Sequence, residues 1–327
     1  MTRIDIHAHL YPKVYLDILE SCGHLKRNGT DTPYILETGT ESGHRIRLFE
    51  AMWNIDQRLK TMDLLGIDAE VLSIGNPWVS YIPKSKCREA ARALNIELAR
   101  ISKDHSKRFS AMGVIPFSSM SDAVEEIDYA VDELGVKGFM IGTHANGMPI
   151  YSDEFLPCFE ELQKKDVPVF IHPLAREDVG NTYDRLTTVG LLFPNETTIT
   201  ATGFMTFGLL DRFPNLKVIL AHLGGNVPFS VGRIDRAVKT NPTRARLKMS
   251  TEEYLKRFYL DSVAYFGPAL ELAVDIWGPE KVMLGSDAPW HWSSEHERVV
   301  APLANSKYEP RVKEFIFGEN AKRIFRI

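Results

Sequence analysis

Eight short segments rich in apolar and β-branched residues recur along the chain, separated by stretches with helical spacing. They are Arg3–His7, Ala69–Ile74, Phe109–Ile115, Val136–Ile141, Val167–His172, Leu216–His222, Phe258–Asp261 and Val282–Ser286. Between them, Glu89–Lys103 sets Ala90, Ala93, Leu94, Leu98 and Ile101 on one stripe, interrupted by Glu97. Ser121–Leu134 opens on Ser and Asp and stops before Gly135, and Asp153–Lys165 closes on two lysines. Several strands are nearly uninterrupted apolar runs, which suits a parallel sheet covered by helices. Eight alternating units in 327 residues predict an α/β chain folded as one (β/α)8 TIM-barrel domain over residues 1–327. No GxGxxG follows a strand, which argues against an open dinucleotide-binding sheet.

Two stretches break the alternation. Residues 11–52 are too long for a simple βα loop, are polar and Gly/Thr-rich around Asn28–Gly43, and contain alternating pieces at Tyr34-Ile-Leu and Arg45-Ile-Arg-Leu-Phe. They predict an inserted flap of short strands after the first barrel strand. Ala175–Thr197, with Gly180, Asn181 and Pro194, follows His172 directly and predicts a second lid.

The strand ends carry ligand-type side chains. In Ile4-Asp-Ile-His7-Ala-His9 the two imidazoles are spaced i, i+2, so a strand turns both to one face. His172, His222 and Asp287 end or follow three later strands, each before loop-forming residues. In a barrel these ends converge on one mouth. Nitrogen and carboxylate ligands without thiolate suit one zinc ion, and Mn2+, Fe2+ or Co2+ accept the same donors. A binuclear site would need a carbamylated lysine or acidic residue ending the fourth strand, but that strand runs Phe139-Met-Ile-Gly-Thr-His144 and Lys137 lies at its other end.

Composition narrows the partner. A formal net charge of −4 and a pI near 6.2 leave no footprint for nucleic acid or an anionic membrane, so a small molecule is expected. Cys22, Cys87 and Cys158 are widely separated and form no CxxC pair, which fits a reducing cytoplasm. No apolar stretch approaches a membrane span, and the first residues lack a signal-peptide core.

Motifs spread over nearly the whole chain resemble the amidohydrolase superfamily and, within it, the decarboxylase branch typified by 2-amino-3-carboxymuconate 6-semialdehyde decarboxylase. They are Asp5-Ile-His-Ala-His9, Gly142-Thr-His-Ala-Asn146, Phe170-Ile-His-Pro173, Glu196-Thr-Thr-Ile199, Phe213-Pro-Asn-Leu-Lys-Val218, Ala221-His-Leu-Gly-Gly225, Pro228-Phe-Ser-Val-Gly-Arg-Ile234 and Leu284-Gly-Ser-Asp-Ala-Pro289. The resemblance implies His7, His9, His172 and Asp287 as metal ligands, with His222 as a nearby acid/base and Asp287 sharing in the catalysis. It further implies Arg45 or Arg47 and Arg233 as binders of substrate carboxylates, Arg233 reaching the neighbouring subunit of a homodimer. The activity implied is metal-dependent, non-oxidative decarboxylation of an unsaturated or aromatic carboxylic acid. The alternative in the same superfamily is metal-dependent hydrolysis of a lactone, ester or amide. The family's tryptophan after the His-Pro pair is Leu174 here, and the loop that follows differs throughout.

Other residues carry both a structural and a functional reading. His144 can touch substrate or bond its own loop. Asp261, ending the seventh strand, can accept a proton from a ligand histidine. Trp290 and Trp292 can wall the pocket or pack. Met140, Met205 and Met283 read as core filling. His24, His44, His105, His291 and His296 sit in polar surroundings and read as surface residues.

Overall fold

All eight expected barrel strands form, and they pair in parallel in the order they occur: β1 (Ile4–Leu10), β2 (Ala69–Ile74), β3 (Phe109–Gly113), β4 (Gly138–Gly142), β5 (Val169–His172), β6 (Val218–Leu220), β7 (Tyr259–Asp261) and β8 (Val282–Met283). The computed structural model describes residues 1–26, 32–36, 44–175, 183–241, 247–290 and 296–327. The ring closes where the β8 segment meets β1: Ile6 N donates to Leu284 O, His9 N to Ala288 O, and Ala288 N to His7 O. β1 runs three residues past its expected end, so His7 and His9 lie within the strand and are buried. Gly285 allows the closure, because a Cβ there would sit 2.8 Å from the Asp261 Cβ and 3.1 Å from the His7 Cβ.

Helices cover the outside of the barrel. After α1 (Lys13–Ser21) come α2 (Ile55–Leu65), α3 (Lys84–Asp104), α4 (Met120–Asp132), α5 (Leu156–Lys164), α6 (Phe193–Thr206), α7 (Val227–Thr240) and α8 (Gly267–Trp277). Three of them match the helical spacing read from sequence. α3 inserts Cys87, Ala90, Ala91, Leu94, Leu98 and Ile101, with Ala93 turned partly outward and Asn95 buried in its stripe. Asn95 is satisfied by exchanging hydrogen bonds with both backbone groups of Val114 and donating to Glu126. Met140, Met205 and Met283 are core residues, as expected. Among the described residues no helix is long and apolar enough to cross a membrane.

The inserted flap contains the expected strands, Tyr34–Leu36 and Arg45–Arg47, joined by Leu25–Lys26 in an antiparallel sheet. It departs from an all-strand flap by including α1, whose Tyr15 and Leu19 are buried. The second irregular stretch is corrected more strongly. From Arg185 onward it is continuous helix, Arg185–Thr187, a π-turn at Thr188–Leu192, then α6, with Pro194 just after the π-turn. Residues 176–182 of that stretch lie outside the described residues.

Candidate metal centre

The ends of three strands, β1, β5 and β6, and the turn after β8 bring His7, His9, His172, His222 and Asp287 together. His7, His172, His222 and Asp287 each offer a ligand atom within 4.8 Å of the others. His9 joins them, its Nε2 3.1 Å from His7 Nε2 and 3.3 Å from Asp287 Oδ1. His7 Nε2 is also 3.3 Å from Asp287 Oδ1, while His222 Nε2 stands 3.6 Å from Asp287 Oδ2.

The outer ring nitrogens decide what the inner ones can do. His7 Nδ1 donates to Asp261 Oδ2 at 2.6 Å, His9 Nδ1 to Ser73 Oγ at 3.1 Å and Ile74 O at 3.3 Å, and His172 Nδ1 to Pro173 O at 2.8 Å. Each acceptor holds the proton on Nδ1, leaving a lone pair on Nε2 pointing inward. Two such lone pairs at 3.1 Å, facing a carboxylate oxygen, repel one another unless a cation lies between them. His172 Nε2 is buried with no hydrogen-bond partner among the described residues. A buried acceptor left in that state is expensive, and a divalent cation relieves it. The donor set therefore fits a metal ion. Burial, reinforced by the neighbouring imidazoles, holds His172 well below the ordinary histidine range, and burial also lowers His9, as suits neutral ligands.

His222 differs from the other three imidazoles. Its Nδ1 has no partner among the described residues, and its side chain keeps 14% exposure. Burial pulls its pKa down, but the Asp287 hydrogen bond and charge and the Asp261 charge raise it overall. Its backbone is unusual too. His222, Leu223 and Asp287 all have left-handed φ of 52°, 57° and 60°, conformations that cost non-glycine residues about 1–3 kcal/mol each and persist only when neighbours enforce them. Asp261 supplies the enforcement at β6, its oxygens accepting from His222 N at 3.0 Å and Leu223 N at 2.8 Å while also holding His7. Asp261 thus accepts a hydrogen bond from His7, one of the clustered histidines, as its place at the end of the seventh strand led one to expect.

A cavity of about 270 Å³ opens over the cluster, lined by His9, His172, His222 and Asp287 at its floor, by Ile46 and Asn76, and by Arg185, Leu186, Val189, Phe193 and Trp290. Trp290 walls the pocket, while Trp292 lies outside the described residues. Flap and lid meet above it, where His44 Nε2 and Thr188 Oγ1 lie 3.1 Å apart.

The arginines expected to bind substrate carboxylates do not line this cavity. In Arg45–Arg47 only the central Ile46 is buried and faces the cavity; both arginines are exposed, and Arg45 lies over the Tyr34 ring at 4.7 Å. Arg233 is exposed on α7 and does not line the cavity. His144 lines a neighbouring cavity with Thr143 and Glu196, its Nδ1 3.3 Å from Thr143 Oγ1. His24 is no surface residue: it is buried and bonded to Tyr81 O at 2.8 Å, while His44 is half-buried between flap and lid. His105 is half-buried at the end of α3, and His291 and the His296 side chain lie outside the described residues.

Three buried polar residues behind the site were missed in the sequence. Asp5 accepts from His7 N at 2.9 Å, from Ser286 N at 3.0 Å and from the Ser286 hydroxyl, tying β1 to the turn that presents Asp287. Burial, with the Glu70 charge, pushes its pKa up to about 8. Arg58 is fully buried, donating to Glu70 at 2.5 Å and to the His9 carbonyl at 2.7 Å. The available signal was Arg58 itself, a charge on the inward stripe of α2 beside Thr61 and Met62.

A closed barrel carrying a histidine/carboxylate cluster at the carboxyl ends of its strands defines a metal-dependent barrel class, and the amidohydrolase family model matches residues 4–327. The chain belongs to the amidohydrolase family. It is 29% identical to 2-amino-3-carboxymuconate-6-semialdehyde decarboxylase of Dictyostelium discoideum over 98% of this chain and 90% of that protein. It is also 29% identical to gamma-resorcylate decarboxylase of Rhizobium sp. (strain MTP-10005), over 83% and 87%. Among solved structures, Metarhizium anisopliae IDCase in its apo form superposes with a TM-score of 0.89 at 25% identity, covering 99% of this chain and 97% of that one.

Proposed function

We propose that this chain is a metal-dependent, non-oxidative decarboxylase of an unsaturated or aromatic carboxylic acid. The observation that carries the metal is the convergence of inward-facing imidazole Nε2 lone pairs on one carboxylate oxygen. The reaction is supported by likeness over nearly the full length to decarboxylases. In this reading His7, His9, His172 and Asp287 hold one divalent ion, zinc being favoured by the nitrogen/carboxylate set and Mn2+, Fe2+ or Co2+ being the other candidates. Such an ion supplies Lewis acidity toward an oxygen of substrate or water.

His222, whose Nδ1 is not tied as in the other three, is the proton carrier. It delivers a proton to the carbon bearing the carboxylate. The carbon–carbon bond then breaks, its electron pair returns to the unsaturated system, and CO2 leaves. Ile46, Phe193 and Trp290 exclude water around that carbon.

The enzyme acts as a homodimer in this proposal. Phe229, at 80% exposure, and Arg233 are four residues apart on one face of α7, with exposed Ile199 on neighbouring α6. A second copy covering that face would take Arg233 to the partner's cavity.

Metal-loaded enzyme incubated with carboxymuconate semialdehydes, hydroxybenzoates and lactones decides the chemistry. Release of CO2 without new acid groups is expected. Acid release without CO2 would make the chain a hydrolase.

A further inference from the structure

A second cavity, of about 130 Å³, lies between the turn after β2, the start of α3 and the carboxyl ends of β3 and β4. Its interior is made by Val79, Ile82, Val114, Ile115, Met140 and Ile141, all buried, while Ser80, Lys84 and Asn146 are exposed at its rim. Trp78 also lines it and meets the His172 ring edge-on, centroids 5.2 Å apart, whereas Asn76, two residues earlier, lines the metal cavity. One turn thus divides the two cavities. It is well anchored: Trp78 Nε1 donates to Ile74 O at 2.9 Å and its carbonyl accepts from the Tyr15 hydroxyl at 2.9 Å.

Polar groups in this lining are already engaged. Ser118 Oγ donates to Asp122 at 2.8 Å, and Asn146 Nδ2 to Phe117 O at 2.8 Å. Burial pushes the Cys87 thiol up to about 11, so this wall stays uncharged. Water inside would find few partners, and an apolar cavity of similar size, about 150 Å³, stays dry and takes up benzene or xenon. A carboxylate drawn inside would lose its hydration with no ionic partner among the buried lining residues.

We propose that this cavity is a second ligand site, which takes an uncharged single-ring arene and rejects the acid that reacts at the metal site. The occupant's origin rests on the decarboxylase reading above: loss of CO2 from an aromatic acid turns an anion that the cavity excludes into a neutral ring that it accepts. The enzyme's own product is then the molecule that fills it.

Fluorine NMR of fluorobenzene titrated into the metal-loaded protein tests this, with methionine methyl resonances followed in the same samples. Saturable binding should shift the Met140 methyl, assigned by its loss in Met140→Leu, and excess benzoate should displace none of the fluorobenzene. Cys87→Phe and Ala145→Leu put bulk into the cavity and should each weaken binding about tenfold or more with metal content unchanged. No saturable binding, displacement by benzoate, an unmoved Met140 methyl, or full affinity in folded, metal-loaded filling variants overturns the site. Should neither variant fold, the Met140 shift and the benzoate competition decide it in wild type. Failure of wild type to release CO2 from any acid overturns the decarboxylase reading instead, and the titration still decides whether the cavity holds an arene.

Discussion

The barrel rim and the structures laid over it obey different rules. On the rim, each of these cluster groups is held from behind: His7 by Asp261, His9 by Ser73 and Ile74, His172 by Pro173 O, and the Asp287 turn by Asp5 through Ser286. Over the rim, Arg45, Arg47, Leu186 and Val189 are exposed, and His44–Thr188 is the hydrogen bond described between flap and lid. Rigid, buried geometry suits ligands that must converge on one ion. Exposed appendages suit the choice of substrate, since they change without disturbing the ring.

The sharpest way to break this comparison is to remove one rim group. His7→Ala or Asp287→Ala should strip the ion from a site expected to hold about one per chain and abolish turnover, whereas His222→Asn should keep the ion and slow turnover about 10²-fold or more. Elemental analysis beside kcat separates the two outcomes. Loss of metal from His222→Asn in step with activity would make His222 a ligand.

A milder test reaches behind the rim. Asp261→Asn should weaken metal affinity about 10- to 100-fold, because an amide presents one acceptor where the carboxylate now holds His7, His222 N and Leu223 N. Chelator competition reads this directly. Unchanged affinity would show that the support behind His7 is dispensable.

The smallest expected effect lies on the outside. Arg233→Ala should raise KM about tenfold with metal content unchanged, the low end for an arginine–carboxylate contact. Mixing Arg233→Ala chains with His222→Ala chains should restore part of the activity, since one site of the mixed dimer keeps both groups. Verified mixed dimers without recovery would remove Arg233 from the partner's site.

Much of the rim was legible in the chain. The i, i+2 pair His7 and His9, and single ligand-type residues ending apolar runs at His172, His222 and Asp287, survive as local patterns because a strand's side-chain period is two and a barrel's strand ends converge. Asp261 was legible by the same logic. Hidden were Asp5, Glu70 and Arg58, whose roles depend on elements far apart in sequence, such as the 281 residues between Asp5 and Ser286. Also hidden was the helical lid, since Pro194, read as a loop signal, is accommodated in the helix that runs on from the π-turn.

By itself, then, the sequence determined the barrel, the order of its strands and the ligand types at their ends, because hydrophobic period and strand direction are local properties. Tertiary structure alone decided which imidazole nitrogen faces inward, which hydrogen bonds hold His222 and Leu223 in a left-handed turn, and that Ile46 and Arg185, rather than Arg45 or Arg47, face the cavity. Those outcomes depend on partners brought together only when the ring closes, and on a strand's alternation, which puts neighbours on opposite faces and leaves packing to choose the buried one.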